Sequence, residues 1–423
     1  PRVALQESVN QLAVPLTRHI VAESRPLHRD IHLVEDNEGA QLLLVNGSRL
    51  YNLPPDMNLE LRGILRTNDE QSLGKLIDSW GLQAQPFIDD EPLHSPPMHA
   101  LSLAIAQKCN LGCTYCYAQQ GAFGGKAKSM ELQKAIQAID LLFKQAAPGA
   151  KVNVAFMGGE PLSNRSVLRE ATEHAKQRAI EHDLLCQFSI TTNGTLLTPA
   201  DADFFEEHVF SVTVSLDGDA EQHNLLRPFK GGKGSFERII ERVEPLLKLQ
   251  KKMQVSTRVT VTPFNMNLPE TLDLFINMGF HSVGFSPLLR SSNGQAEMSA
   301  DDMAQMLESM IACGLLFEQH VINGYRYPFM NMQNALRELQ RGTHRPYPCG
   351  AGAGYFGVSA DGELSACHRF VGDEQGAMGT LEQGVDSEKQ NRWLSERHVH
   401  KQQPCNSCWA RYLCGGGCHH EVL

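Results

Sequence analysis

From about residue 100 onward, short apolar runs alternate with segments whose apolar residues recur every three or four positions. The runs 101–107 (LSLAIAQ), 152–157 (VNVAFM), 186–192 (CQFSITT), 211–216 (SVTVSL), 255–262 (VSTRVTVT) and 282–288 (SVGFSPL) predict strands. Helical periodicity predicts helices near 130–146, 165–182, 199–208, 235–251 and 269–278 between them, and near 300–319 after the last. Thr198-Pro199 reads as an N-cap followed by proline in the first turn, and Ser299 with Asp301 and Asp302 opens the last helix. Six β/α units with apolar strands imply a parallel sheet covered by helices and curled into a partial barrel. In such folds chemistry collects at the C-terminal ends of the strands.

The flanking segments carry other patterns. Before residue 84, strands at 31–35 and 41–45 with Asn46-Gly47 as a hairpin signal precede a helix that places Leu73, Leu76, Ile77 and Trp80 on one face. Residues 84–99, with Pro86, Pro92, Pro96 and Pro97, read as a linker. From 349 onward the alternation ends, and glycine and cysteine become frequent. One hairpin is expected there, 355–359 with 363–366, turning at Asp361-Gly362. The expected organisation is a small α+β domain at 1–83, the linker, the barrel at 100–325 and a metal-stapled domain at 326–423.

Charge narrows the partners. The formal net charge of −10 over 423 residues argues against a broad phosphate-binding surface, so nucleic acid is not the expected partner. No apolar run approaches the roughly 20 residues a membrane-spanning helix needs, and no membrane partner is expected.

The eleven cysteines are clustered, which changes the picture more than their number does. Cys109, Cys113 and Cys116 follow the first barrel strand as C-x3-C-x2-C. Cys349, Cys367, Cys405, Cys408, Cys414 and Cys418 share the C-terminal segment, while Cys186 and Cys313 stand alone as small buried hydrophobes. Clustered C-x2-C spacing in a protein of this length reads as metal binding in a reducing, cytoplasmic compartment rather than as a disulfide scaffold. Thiolates at this density select zinc or iron–sulfur clusters. A structural zinc wants a fourth ligand nearby, and the first loop has none. Three thiolates on a four-iron cluster instead leave one iron open.

The run KCNLGCTYCYA, with Tyr115 before its last cysteine, resembles the radical S-adenosylmethionine (SAM) enzymes. Gly158-Gly159-Glu160-Pro161, Thr192-Asn193-Gly194 and Ser215-Leu216-Asp217-Gly218 stand at the next three strand ends, with His223 and Arg227 after them, as in that family. The resemblance implies a [4Fe-4S] cluster on Cys109, Cys113 and Cys116 that binds SAM. It also implies SAM contacts from Gly158, Gly159, Glu160, Asn193, Ser215 (ribose) and Arg227 (carboxylate), and a proton role for Asp217. The C-terminal cysteines resemble the SPASM extension, which implies two auxiliary [4Fe-4S] clusters. Cys349, Cys367 and Cys418 would hold the first; Cys405, Cys408 and Cys414 would hold the second. The family pattern has a seventh cysteine, so the natural protein is expected to continue past Leu423. The N-terminal module resembles the small winged domains with which peptide-modifying members capture substrate, and its strand edge could add an extended peptide.

Longer runs, among them LSLAIAQKCNLGCTYCYAQQGAFGG and CNSCWARYLCGGGCHHEV, are similar to the maturases of quinohemoprotein amine dehydrogenase. That likeness implies a 5′-deoxyadenosyl radical used to form Cys-to-Asp/Glu thioether cross-links in the dehydrogenase's small γ subunit. It also implies an electron donor such as flavodoxin or ferredoxin. The alternatives are a formylglycine-forming sulfatase maturase, another C–C or C–S cross-linker of peptides, or a non-catalytic iron–sulfur or zinc module that relays electrons.

Overall fold

The computed structural model describes residues 29–36, 39–67, 69–82, 91–342 and 344–421. Residues 1–28, Asn37 and Glu38 between the first two expected strands, and the linker as far as residue 90 lie outside them. The protein separates into two compact units, and neither is a continuous stretch of sequence.

The smaller unit is built on an antiparallel sheet of β1 (Ile31–Asp36), β2 (Gly39–Leu44) and β3 (Arg49–Leu53), in that order. Its core is Leu33, Leu42, Leu44 and Leu53 packed against Leu61, Leu73 and Leu76. Leu61 belongs to a helix, Pro55–Thr67, that the periodicity did not single out; Leu73 and Leu76 belong to the expected one, Glu70–Ser79. Residues 334–348 and 398–416 complete this unit. Arg411, buried, donates to the Asp30 carboxylate at 2.7 Å, and the His32 ring stacks on Trp409 at 3.8 Å.

The larger unit contains the β/α alternation: β4 (Ala100–Gln107), a two-residue β5 (Lys128–Ser129), β6 (Lys151–Gly158), β7 (Leu185–Thr192), β8 (Ser211–Ser215), β9 (Gln254–Val261) and β10 (Val283–Pro287). Six of these run parallel in the order β10-β9-β8-β7-β6-β4, each within a residue or two of its predicted place. Helices Leu132–Gln145, Arg165–Glu181, Pro199–Glu207, Phe236–Leu249 and Leu268–Asn277 join them. The two predicted N-caps form capping boxes, Thr198 with Asp201 and Ser299 with Asp302.

Two features depart from the expectation. Strand β4 is buried at every position, as a central parallel strand should be, but β7, β8 and β9 alternate. Their valines, isoleucine and phenylalanine are buried on one face, while Thr191, Thr213, Ser215, Arg258 and Thr260 point to the other, which is therefore polar. The C-terminal segment also does not stand apart from the sheet. Strand β11 (Tyr355–Val358) pairs in parallel with β4, and β12 (Glu363–Ser365), β13 (Ala377–Thr380) and β14 (Gly384–Val385) extend it antiparallel. Among the described residues no helix is long and apolar enough to cross a membrane.

Candidate active site

The polar ends of β6 to β10 and the three-cysteine loop enclose a cavity of about 490 Å³. Its walls include Cys109, Cys113, Cys116, Ser215, Arg227 and Arg258. Among the described residues no three Cys, His, Asp or Glu side chains converge closely enough to hold a single metal ion. A four-iron cluster, whose thiolates sit on different irons, does not need that convergence. What the loop does show is proximity: the charge of Cys116 acts on Cys109, and those of Cys116 and Cys109 act on Cys113. Burial pushes the Cys113 thiol up to about 12, with Arg227 pulling the other way, and burial also raises Cys109. Thiols in such a place become thiolates readily only against a cation, so the donor set fits an iron–sulfur cluster.

The glycines at the end of β6 make that loop possible. A Cβ on Gly158 would lie 2.3 Å from the Ala106 carbonyl oxygen, and one on Gly159 would lie 2.3 Å from that of Lys108. Gly158 also has φ +136°, which disfavours any larger residue. The backbone these glycines approach is the cysteine loop's own. Gly159 and Glu160 donate their backbone N–H to Ala106 and Lys108 at 2.7 and 2.9 Å.

Glu160 does not line the cavity. It is fully buried, and its carboxylate accepts from the Leu162 N–H (3.0 Å), the Thr192 hydroxyl (2.8 Å) and the Asn193 N–H (2.8 Å). Burial raises its pKa and these donors lower it. It ties the ends of β6 and β7 together. Asn193 is placed by that tie, and its amide donates to Asn110 at 2.9 Å and to the Cys109 sulfur at 3.6 Å.

Asp217 also lies behind the cavity wall rather than in it. Its carboxylate accepts the Tyr115 hydroxyl and the Thr260 N–H (2.9 Å), and stands 3.8 Å from Arg227. Arg227 donates to the Tyr115 oxygen at 2.6 Å, and its Nε is buried with no partner. An orphaned guanidinium nitrogen in a cavity wall suits an anionic ligand group. The His223 ring accepts from the Asp217 N–H at 3.2 Å and stands 3.0 Å from the Ser235 hydroxyl, which donates to the Arg227 carbonyl at 2.6 Å. Burial lowers His223 to about 3, so it is a neutral bridge holding Asp217 and Arg227 in register.

The larger unit also gathers Cys349, Cys367 and Cys418: the charge of Cys418 acts on Cys349, both act on Cys367, and burial raises Cys367 to about 12. Arg369 reaches the Cys418 sulfur at 3.9 Å, pairs with Glu421 and lies over the Tyr117 ring at 5.0 Å. In the smaller unit Cys414 and Cys408 act in the same way on Cys405. His419 and His420 pack on Trp393 and Phe370, with ring centroids 5.4 and 5.2 Å apart, and burial lowers both to about 4.

The Radical SAM superfamily pattern matches residues 103–275, the segment from β4 through the helix before β10. The protein is a radical SAM enzyme. It is related to the anaerobic sulfatase-maturating enzymes: the serine-type enzyme of Klebsiella aerogenes is 26% identical over 353 residues, covering 79% of this chain and 83% of its own. The cysteine-type enzyme of Clostridium novyi (strain NT) is 26% identical over 338 residues, covering 76% and 88%. The solved structure of native anSMEcpe with bound AdoMet shares the fold with a TM-score of 0.64 at 22% identity, covering 76% of this chain and 89% of that one. The same protein with AdoMet and the Cp18Cys peptide gives 0.63 at the same identity and coverage. As a radical SAM enzyme the protein uses SAM and a [4Fe-4S] cluster.

Several cavity residues of this radical SAM enzyme went unremarked in its sequence. His368, Arg369 and Glu421 reach the cavity from the C-terminal segment, whose pairing with β4 no local pattern announces. Arg258 was legible: it is the one charged residue in VSTRVTVT, at a position whose neighbours two residues away are Ser256 and Thr260.

Proposed function

We propose that this enzyme modifies a peptide by removing hydrogen from a carbon of one of its side chains. The observation that carries this reading is the polar cavity beside the three-cysteine loop, in a fold shared with a protein solved with AdoMet and a peptide. Cys109, Cys113 and Cys116 would hold the cluster, Ser215 would meet the ribose and Arg227 the carboxylate of SAM. When bound, the cluster and SAM together supply an electron and a 5′-deoxyadenosyl group able to accept a hydrogen atom from unactivated carbon. The protein's own part is to place and shield. Glu160 and Asn193 fix the wall around Cys109, and Asp217, Tyr115 and His223 hold Arg227. Asp217, fully buried and already hydrogen-bonded, acts in this reading as a positioning residue. Cys349, Cys367 and Cys418, and separately Cys405, Cys408 and Cys414, would hold auxiliary clusters.

The finer reading is thioether formation between Cys and Asp or Glu in the γ subunit of quinohemoprotein amine dehydrogenase, with flavodoxin or ferredoxin as electron donor. It draws on the sequence runs quoted above. The change breaks one S–H and one C–H bond and forms one C–S bond. A hydrogen atom leaves carbon, a proton leaves sulfur, and the electron left over needs an acceptor, a role that a cluster on Cys349, Cys367 and Cys418 would supply. A second reading, oxidation of Cys or Ser to formylglycine, is favoured by the two sulfatase-maturating relatives, and the comparisons stand closer to it.

Mass spectrometry after co-expression with the γ polypeptide separates the two. Thioether formation removes two hydrogens per bond and protects the cysteine from alkylation. Formylglycine formation yields an aldehyde that reacts with hydrazides. Failure of reduced, cluster-replete protein to make 5′-deoxyadenosine from SAM would overturn the enzymatic reading itself.

A further inference from the structure

Among the described residues three guanidinium groups line the cavity, and they are not equivalent. Arg227 has Asp217 at 3.8 Å, and Arg369 is paired with Glu421. Arg258 has no carboxylate partner among the described residues; its Nη1 donates to the Ser286 hydroxyl at 2.8 Å. Strand register sets it between Ser215 on β8 and Gly284 on β10. It is the only charged side chain on the inward face of β7 to β10. A guanidinium on a rigid strand, open to a cavity lined beside it by threonine and serine hydroxyls, presents a planar fork that matches a carboxylate.

We propose that Arg258 receives a carboxylate of the peptide substrate and so selects an Asp or Glu side chain at the residue to be modified. The inference rests on the peptide-modifying reading of the same cavity and adds to it the residue that would recognise an acidic side chain. The carboxylate of SAM is not the better candidate. Arg227 donates to Tyr115 of the cysteine loop at 2.6 Å and has a buried Nε without a partner, whereas Arg258 donates to Ser286 on β10. One amino-acid carboxylate needs one guanidinium, which leaves Arg258 for a second ligand. Arg258 is exposed to the cavity, so the N–H donors it does not spend on Ser286 are open to a ligand carboxylate. A planar fork also fixes a carboxylate in two dimensions and thereby the methylene next to it, as hydrogen abstraction from that carbon requires.

The test uses the full-length, cluster-replete enzyme and the γ polypeptide, with each acidic residue in turn replaced by its amide. In the wild type, kcat/KM for modification is expected to fall about 10- to 100-fold for the amide at the target residue, the loss of one charge-assisted contact. In R258Q that preference collapses to within about twofold, and R258K keeps an intermediate preference. A residue serving SAM or the fold would slow both polypeptides alike and leave their ratio intact; an unchanged ratio in R258Q overturns the inference and leaves the peptide reading standing. If the wild type leaves the γ polypeptide unmodified, the thioether reading fails. A second measurement then decides on Arg258 alone: calorimetric titration of the SAM-loaded enzyme with N-acetyl-aspartate α-amide and N-acetyl-asparagine α-amide. Preferential binding of the aspartyl compound, lost in R258Q, supports the site. Equal binding of the two in the wild type overturns it.

Discussion

The hydroxyl of Tyr115, one residue before the last cysteine of the loop, is donated to Asp217 at the end of the fourth parallel strand, and its oxygen accepts from Arg227. One phenol thus links the cysteine loop to the guanidinium proposed to meet SAM. All three groups lie in the interior, where an unpaired polar atom is expensive. Removing the hydroxyl in Y115F should destabilise the fold by about 1–3 kcal/mol. SAM affinity should fall by about tenfold as Arg227 loses its acceptor. Denaturant unfolding and equilibrium binding of SAM measure the two effects separately.

The glycine pair at the end of β6 makes a sharper prediction. G159A places a methyl group on the Lys108 carbonyl, and G158A does so on Ala106 in a backbone conformation that alanine avoids. Each should cost about 1–3 kcal/mol through forced displacement of the cysteine loop. Iron and sulfide bound after anaerobic reconstitution should drop by roughly the content of one cluster, while the auxiliary cysteines keep theirs.

Asn193 donates to the sulfur of Cys109, a proposed cluster ligand, and hydrogen bonds to cluster sulfur raise reduction potentials. N193A removes a bond worth about 0.5–1.5 kcal/mol in the reduced state. The SAM-binding cluster should therefore shift by about 20–60 mV to more negative potential, at about 59 mV per 1.4 kcal/mol for one electron. Potentiometric titration followed by electron paramagnetic resonance reads it.

Stability should also depend on pH through His223. Its folded pKa, lowered to about 3 by burial, lies below the value of about 6.5 in an unfolded polypeptide. The unfolded state therefore binds the extra proton first, and stability that is intact above about pH 6.5 is lost as the pH falls toward 3. Between pH 7.5 and 6.0 this one histidine should account for about 0.8 kcal/mol. H223Q should be less stable at pH 7.5 but should lose about that much less on acidification, which denaturant titrations at the two pH values can show.

The alternation of strands and helices was legible because each barrel element is local: valines at period two, caps such as Thr198 and Ser299, and helices of several turns. The cysteine groups were legible because sulfur is rare and its spacing informative. Placement behind or in front of the cavity wall was not. Glu160 and Asp217 stand in motifs at strand ends, but whether a carboxylate faces a ligand or the neighbouring strand depends on donors such as Thr192 and Thr260 that lie far off in sequence. The helix Pro55–Thr67 was hidden for a simpler reason. It buries only Leu61 fully, so its apolar stripe is thin.

The parallel pairing of β4 with β11 has a consequence for how the protein is made. The cysteine loop is synthesised with β4, but the strand that covers the other edge of β4 emerges about 250 residues later. At roughly 5–20 residues per second that interval lasts about 12–50 s, during which the nascent polypeptide on the ribosome has an open strand edge beside its first three thiols. Metal delivery and edge protection thus fall in the same window of translation, so a slow or stalled ribosome on this message puts both the cofactor and the protein's solubility at risk.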